Sequence, residues 1–330
     1  MMRKCRPVWI LSVFTGLLLA GCGGAGETDS ASGGKMEVYA SLYPLAFFAE
    51  QIGGEHIQVH NLVPTGVEPH HYEPTAKDLA SLSESDLFIY NGAGFEAWIE
   101  KTKSVLNEDR TRVVDTTESI DLLSASETSP AQEEHEEREH HDESEGEHEH
   151  DHSHYDKDPH VWLDPVRAKK QASVIRDALI EKDPKHKEDY QANYKDLAAK
   201  LDDLDQTFAE NVKQGETDTF IVSHAAFGYL ADRYGLKQVP VSGLSPSDEP
   251  SAKELKKIVK VARENDIQYI FFETLVSGKV ADTVKKEVGA RPLTLNPLGG
   301  LTRKQEAEGE NYFSIMKQNA ENLAKGLEAE

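Results

Sequence analysis

The chain has 330 residues and a formal net charge of −23, from 59 acidic against 36 basic residues. Acidity on this scale, with no basic stripe anywhere, excludes nucleic acid as a partner and speaks for cations. Of two cysteines, Cys5 lies in a segment read below as removed, which excludes an internal disulfide and a cysteine-based zinc site.

Residues 1–21 read as a signal peptide. Arg3, Lys4 and Arg6 precede an apolar stretch at 8–20 that ends in Leu19-Ala20-Gly21-Cys22. That stretch is too short, and too directly followed by polar sequence, for a transmembrane helix. Leu-Ala-Gly-Cys is similar to the bacterial lipobox, in which cleavage leaves the cysteine N-terminal and acylated, so Cys22 is the expected lipid attachment point. The Gly/Ser-rich stretch at 22–35 supplies a flexible tether.

From there β-rich runs alternate with amphipathic stretches, the pattern of a parallel α/β fold. A first lobe over 36–184 has expected strands at 37–40, 57–63, 86–90 and 112–114, with helices at 44–52, 76–83 and 96–106. A further helix starts at Asp164-Pro165, an N-cap followed by proline at the first helical position. Tyr190, Tyr194, Leu197, Leu201, Leu204, Phe208 and Val212 keep helical spacing through 185–214. They predict one linking helix of about 44 Å lying across two lobes. The second lobe, 215–330, has expected strands at 219–222, 238–241, 268–272 and 293–295, and helices at 226–234, 252–264, 279–288 and 312–327. Glu73-Pro74-Thr75-Ala76-Lys77-Asp78-Leu79 recurs as Glu249-Pro250-Ser251-Ala252-Lys253-Glu254-Leu255. Each is a capping-box helix start, and the matching order of elements around it points to duplication of a lobe.

Between strands and linking helix, at about 124–157, lies an acidic, histidine-rich insertion. From 127 to 158 there are 14 acids, two basic residues and seven histidines. Such a run has too little apolar surface to order itself. Neutral imidazoles add little to solubility, so weak and exchanging metal binding is the better reading. The run leads into Asp158-Pro159-His160-Val161-Trp162-Leu163-Asp164-Pro165.

Three histidines stand out by placement. His70 follows the second strand, His160 joins the acidic run to a helix start, and His224 ends the strand of the second lobe. His70 and His224 fall beyond strand carboxyl ends, where open α/β sheets collect functional residues. His71 competes with His70, because adjacent residues cannot easily both point into one site. His56, His60 and His186 read as surface or hydrogen-bonding histidines.

These motifs resemble the metal-specific ABC-transporter solute-binding family, in particular its zinc-binding lipoproteins of the high-affinity uptake type (cluster A-I). The resemblance is carried by Glu68-Pro69-His70 with Tyr72-Glu73-Pro74, by the 158–165 octapeptide, and by Ser223-His224-Ala225-Ala226-Phe227-Gly228-Tyr229-Leu230. Gly243-Leu244-Ser245-Pro246 and Glu249-Pro250-Ser251 add to it. It implies two α/β lobes joined by a long helix, with Zn²⁺ held between them by His70, His160 and His224 and delivered to an ABC permease. It also implies that the histidine-rich loop marks zinc-uptake members. Relatives selective for manganese commonly carry a carboxylate where His224 stands. Many relatives supply a fourth, acidic ligand after the last strand, where this chain reads Leu295-Asn296-Pro297. The fourth ligand is then water, a loop residue or Glu273.

Three histidines with an open position also describe a hydrolytic zinc site. The chain has neither an H-E-x-x-H nor a G-x-S-x-G pattern. An adhesin or metal buffer built on the acidic run would leave the three placed histidines unexplained. The expectation is therefore a non-enzymatic, monomeric zinc receptor, lipid-anchored on the extracytoplasmic face of the cell membrane.

Overall fold

The computed structural model describes residues 34–107, 109–128 and 156–328. The signal segment, Cys22 and the seven histidines at 135–154 lie outside the described residues. No helix among the described residues is long and apolar enough to cross a membrane.

Two four-stranded parallel sheets organise the chain. Strands β1 (Met36–Ala40), β2 (Ile57–Asn61), β3 (Leu87–Tyr90) and β4 (Arg112–Asp115) pair in the order β2-β1-β3-β4. Strands β5 (Thr219–His224), β6 (Lys237–Ser242), β7 (Tyr269–Phe272) and β8 (Arg291–Thr294) repeat it as β6-β5-β7-β8. Every residue of β3 and of β5 is buried, as strands covered on both faces must be. The order reverses between β1 and β3, and again between β5 and β7. Loops leaving neighbouring strands there diverge and open a crevice at the strands' carboxyl ends.

Helices α1 (Tyr43–Gly53), α2 (Ala76–Leu82), α3 (Ile99–Lys103) and α5 (Pro165–Lys182) go with the first sheet, whereas α4 (Ala125–Thr128) packs on the helix Gly228–Tyr234 of the second half. The linking helix α6 (Lys187–Lys213) follows, then α7 (Gly228–Tyr234), α8 (Ala252–Glu264), α9 (Lys279–Val288), α10 (Arg303–Ala307) and α11 (Tyr312–Gly326). Asp164 caps α5 by accepting from Val166 N–H, with Pro165 in the first turn. Both expected capping boxes are present, Thr75 with Asp78 and Ser251 with Glu254.

Tyr190, Leu197, Leu201, Leu204 and Phe208 line the buried stripe of α6. It packs on α1 and α5 of the first lobe and on α11 of the second. Each such side chain stabilises the fold by roughly 1.5–3 kcal/mol relative to exposure. One apolar core consequently runs from Val38 and Phe48 through the helix to Phe220 and Leu323.

Helix α3 is shorter than the 96–106 pattern suggests. Gly92, Ala93 and Gly94 all take positive φ, and the Glu96 carboxylate turns back to accept from Asn91 N–H (2.8 Å) and Gly92 N–H (3.0 Å). The helix begins only at Ile99, beyond that turn. The acidic insertion is also closed at its base. Ser124 and Lys157 form an antiparallel bridge, and Gln238 of β6 donates to Thr128 O (2.9 Å).

Candidate metal centre

His70 sits in a single 3-10 turn, Pro69–His71, after β2. Glu68 caps this turn, its two carboxylate oxygens accepting from His70 N–H (3.1 Å) and His71 N–H (3.2 Å). Gly299 lets the turn sit low against the second lobe, because a Cβ there would lie 2.6 Å from Pro69 Cγ. Phe95 packs on the ring of His70, with centroids 4.7 Å apart.

His160 lies just before the 3-10 turn Val161–Leu163. Oδ1 of Asp158 accepts both its backbone N–H and its Nδ1–H, each at 2.9 Å. An ionised carboxylate can only accept, so Nδ1 carries the proton and the Nε2 lone pair faces the crevice.

His224 ends β5, and its Nδ1 stands 2.6 Å from Oε1 of Glu273. The Ser223 hydroxyl donates to the same oxygen. Glu273 follows β7, so the pair brackets the crevice of the second lobe.

The three rings converge. Nε2 of His160 lies 3.2 Å from Nε2 of His70 and 3.4 Å from Nε2 of His224. All three ligand atoms fall within 4.8 Å of one another. Two nitrogens bound to a tetrahedral zinc at about 2.0–2.1 Å stand about 3.3–3.4 Å apart. The two separations from His160 therefore match a shared zinc.

Electrostatics favour the same use. Burial, reinforced by His160 and His224, holds His70 well below the usual imidazole range. Burial also lowers His160, outweighing the pull of Asp158. Both are neutral near pH 7, the form in which an imidazole ligates a metal. At His224 burial is outweighed by the charge and hydrogen bond of Glu273, which hold the imidazole above its ordinary value. Glu273 is correspondingly lowered, since His224 overcomes the burial that would raise it. A metal arriving at His224 therefore competes with a proton for the ring.

The other histidines are placed differently. His71 is exposed, with Nδ1 3.0 Å from Glu68 and Nε2 3.1 Å from the Ser247 hydroxyl. His56 stacks on His186 at 3.8 Å between ring centroids, and His60 pairs with Glu37 at 2.7 Å. Glu273 stands behind His224 and is not one of the clustered groups. Asn296 is turned into its own loop, where its Oδ1 accepts from Leu298 N–H (2.9 Å). Sequence reasoning missed the orienting role of Asp158. The signal was available, since a carboxylate two residues before a histidine and separated by proline can reach both its N–H and Nδ1. Nothing in the sequence pointed to Phe95 or to the Glu96-closed turn beneath it.

Residues 38–326 match the family described as zinc-uptake complex component A, periplasmic (ZnuA). The chain is 42% identical over 329 residues to the high-affinity zinc uptake system protein ZnuA of Bacillus subtilis, covering 99% of both. It is 36% identical over 321 residues to the zinc-binding lipoprotein AdcA of Streptococcus pneumoniae, covering 97% of this chain and 61% of that protein. Among solved structures it resembles the Zn(II)-bound ZnuA-like domain of the S. pneumoniae AdcA protein. The TM-score is 0.72 at 36% identity, covering 89% of this chain and 99% of that one.

Proposed function

The chain belongs to the family of zinc-uptake component A, and from that premise we propose that it captures Zn²⁺ outside the cytoplasmic membrane through His70, His160 and His224 and delivers it to an ABC permease. The observation that carries the ligand assignment is the pair of Nε2 separations, 3.2 and 3.4 Å. Three nitrogen donors favour zinc over manganese, which prefers harder oxygen ligands. Asp158 and Glu273 hold two of the rings by Nδ1, which fixes tautomer and direction before the metal arrives. Both carboxylates are thereby engaged with imidazoles, which supports a carrier over a hydrolase needing a free general base. Cys22 is the proposed lipid anchor, and the acidic insertion a second, weaker zinc-binding region.

Calorimetric titration should show one tight zinc site in the mature protein, lost in His160→Ala and in His224→Ala. Zinc at a free concentration of 1,000 Kd should stabilise the fold by about 4 kcal/mol. Equal thermal stabilisation by equal free zinc and manganese would overturn the assignment.

A further inference from the structure

The three histidines differ in what holds their backbones. His70 lies in a turn capped by Glu68, and His224 belongs to a paired strand. His160, with φ −81° and ψ 43°, precedes its 3-10 turn and lies in no repeating element. We propose that Asn91 and Tyr229 are positioning residues for zinc ligation. From opposite lobes they clamp the two consecutive peptide carbonyls just before His160 and so fix its imidazole against His70 and His224. This inference rests on the reading of His160 as a zinc ligand.

The second lobe supplies the first clamp. Tyr229, fully buried on α7, donates its hydroxyl to Asp158 O at 2.7 Å. Leu123 N–H donates to the same phenol oxygen at 3.2 Å. A phenol has one proton, so the Leu123 contact leaves it no alternative but the Asp158 carbonyl.

The first lobe supplies the second. Asn91, fully buried beyond the end of β3, donates from Nδ2 to Pro159 O (2.9 Å) and Gly92 O (3.2 Å). Its Oδ1 accepts from Gln171 Nε2 at 3.0 Å, which fixes the orientation of the amide. Its own N–H goes to Glu96 and its carbonyl accepts from Thr116. Every polar group of Asn91 is engaged, so it cannot drift without breaking bonds in a buried site.

Buried polar groups are usually satisfied for stability alone. These two are set apart by what they grip. The peptides are adjacent and precede the proposed metal ligand, and the donors come from different halves of the fold, α7 and the end of β3. A slip of His160 by a few tenths of an ångström would take its Nε2 out of range of a shared metal, where tolerance is about 0.2 Å.

The test compares Tyr229→Phe, which removes only the hydroxyl, and Asn91→Ala with His160→Ala and with Leu323→Ala, a core change on α11. Zinc affinity is measured by chelator competition, and the ligand field by the visible spectrum of the cobalt(II) form. Tyr229→Phe and Asn91→Ala should each weaken zinc by about 10–100-fold, the range for partners that orient a ligand, and alter the cobalt spectrum. Leu323→Ala should lower the melting temperature with affinity and spectrum unchanged. Parental affinity and spectrum in Tyr229→Phe and Asn91→Ala, with His160→Ala still defective, would overturn the clamp and leave the ligand assignment standing. Parental affinity in His160→Ala would instead overturn the ligand assignment itself.

Discussion

Replacing His224 by Ala removes one of the three proposed zinc ligands and also strands a carboxylate. Glu273 is 4% exposed, and its Oε1 accepts from His224 Nδ1 and Ser223. Losing the charged partner of a buried pair typically costs about 3–5 kcal/mol. Protonation limits that cost. Neutralising a carboxyl of ordinary pKa 4.5 at pH 7 requires about 3 kcal/mol. Metal-free His224→Ala should therefore be about 3 kcal/mol less stable at pH 7 than His224→Ala/Glu273→Gln. The sign follows from the stranded acid, whose folded pKa now exceeds its unfolded one. Its penalty is absent below about 4.5 and grows by about 1.4 kcal/mol for each pH unit above, until the carboxyl ionises in the fold. In the parent the direction is opposite. Glu273 is lowered there, so its contribution is present above its ordinary value and fades as pH falls through the folded value. Urea denaturation with chelator at pH 5, 6 and 7 measures the gap between the two variants. A gap that stays flat with pH, or a double variant no more stable than the single one, would refute the reasoning.

Replacing 129–155 by a short glycine linker keeps the Ser124–Lys157 bridge and the Gln238–Thr128 contact. Calorimetry should then show the tight zinc site intact and most of the weak binding gone; loss of the tight site would move the function to the acidic run. Gly299→Ala places a methyl 2.6 Å from Pro69 Cγ, which a rigid ring cannot escape without moving the His70 turn. Zinc affinity measured by chelator competition should fall by roughly tenfold, as for loss of other supporting contacts.

Most of the fold was legible in the sequence because local and global signals agree there. The eight strand runs, the stripe of α6 and the two capping boxes each rest on a pattern of a few residues that tertiary packing reinforces. The mismatch at α3 came from a side chain acting on the backbone, since no helical period reveals that Glu96 closes the turn at 91–92. In the site, His160 and His224 were legible from motif and strand end. The distinction between His70 and His71 was not legible from spacing alone. It depends on Glu68 capping the turn and on Ser247 receiving the second ring, a contact across 176 residues of sequence. The clamp on the 158–159 carbonyls was illegible for the same reason, since its donors lie 71 and 68 residues away.

Helix α6 contains neither glycine nor proline over its 27 residues and carries packed side chains from both lobes along its length. Flexing the molecule like a clam would require opening about one turn, or about four backbone hydrogen bonds at about 1 kcal/mol each. A cost of about 4 kcal/mol leaves roughly one molecule in a thousand bent at any moment. Spontaneous gaping is therefore a minor state, and nearly every molecule at any moment keeps the beam straight. A partner that binds the bent form would supply that energy on contact, whereas motion confined to the short segments lining the crevice would leave the beam behind them straight.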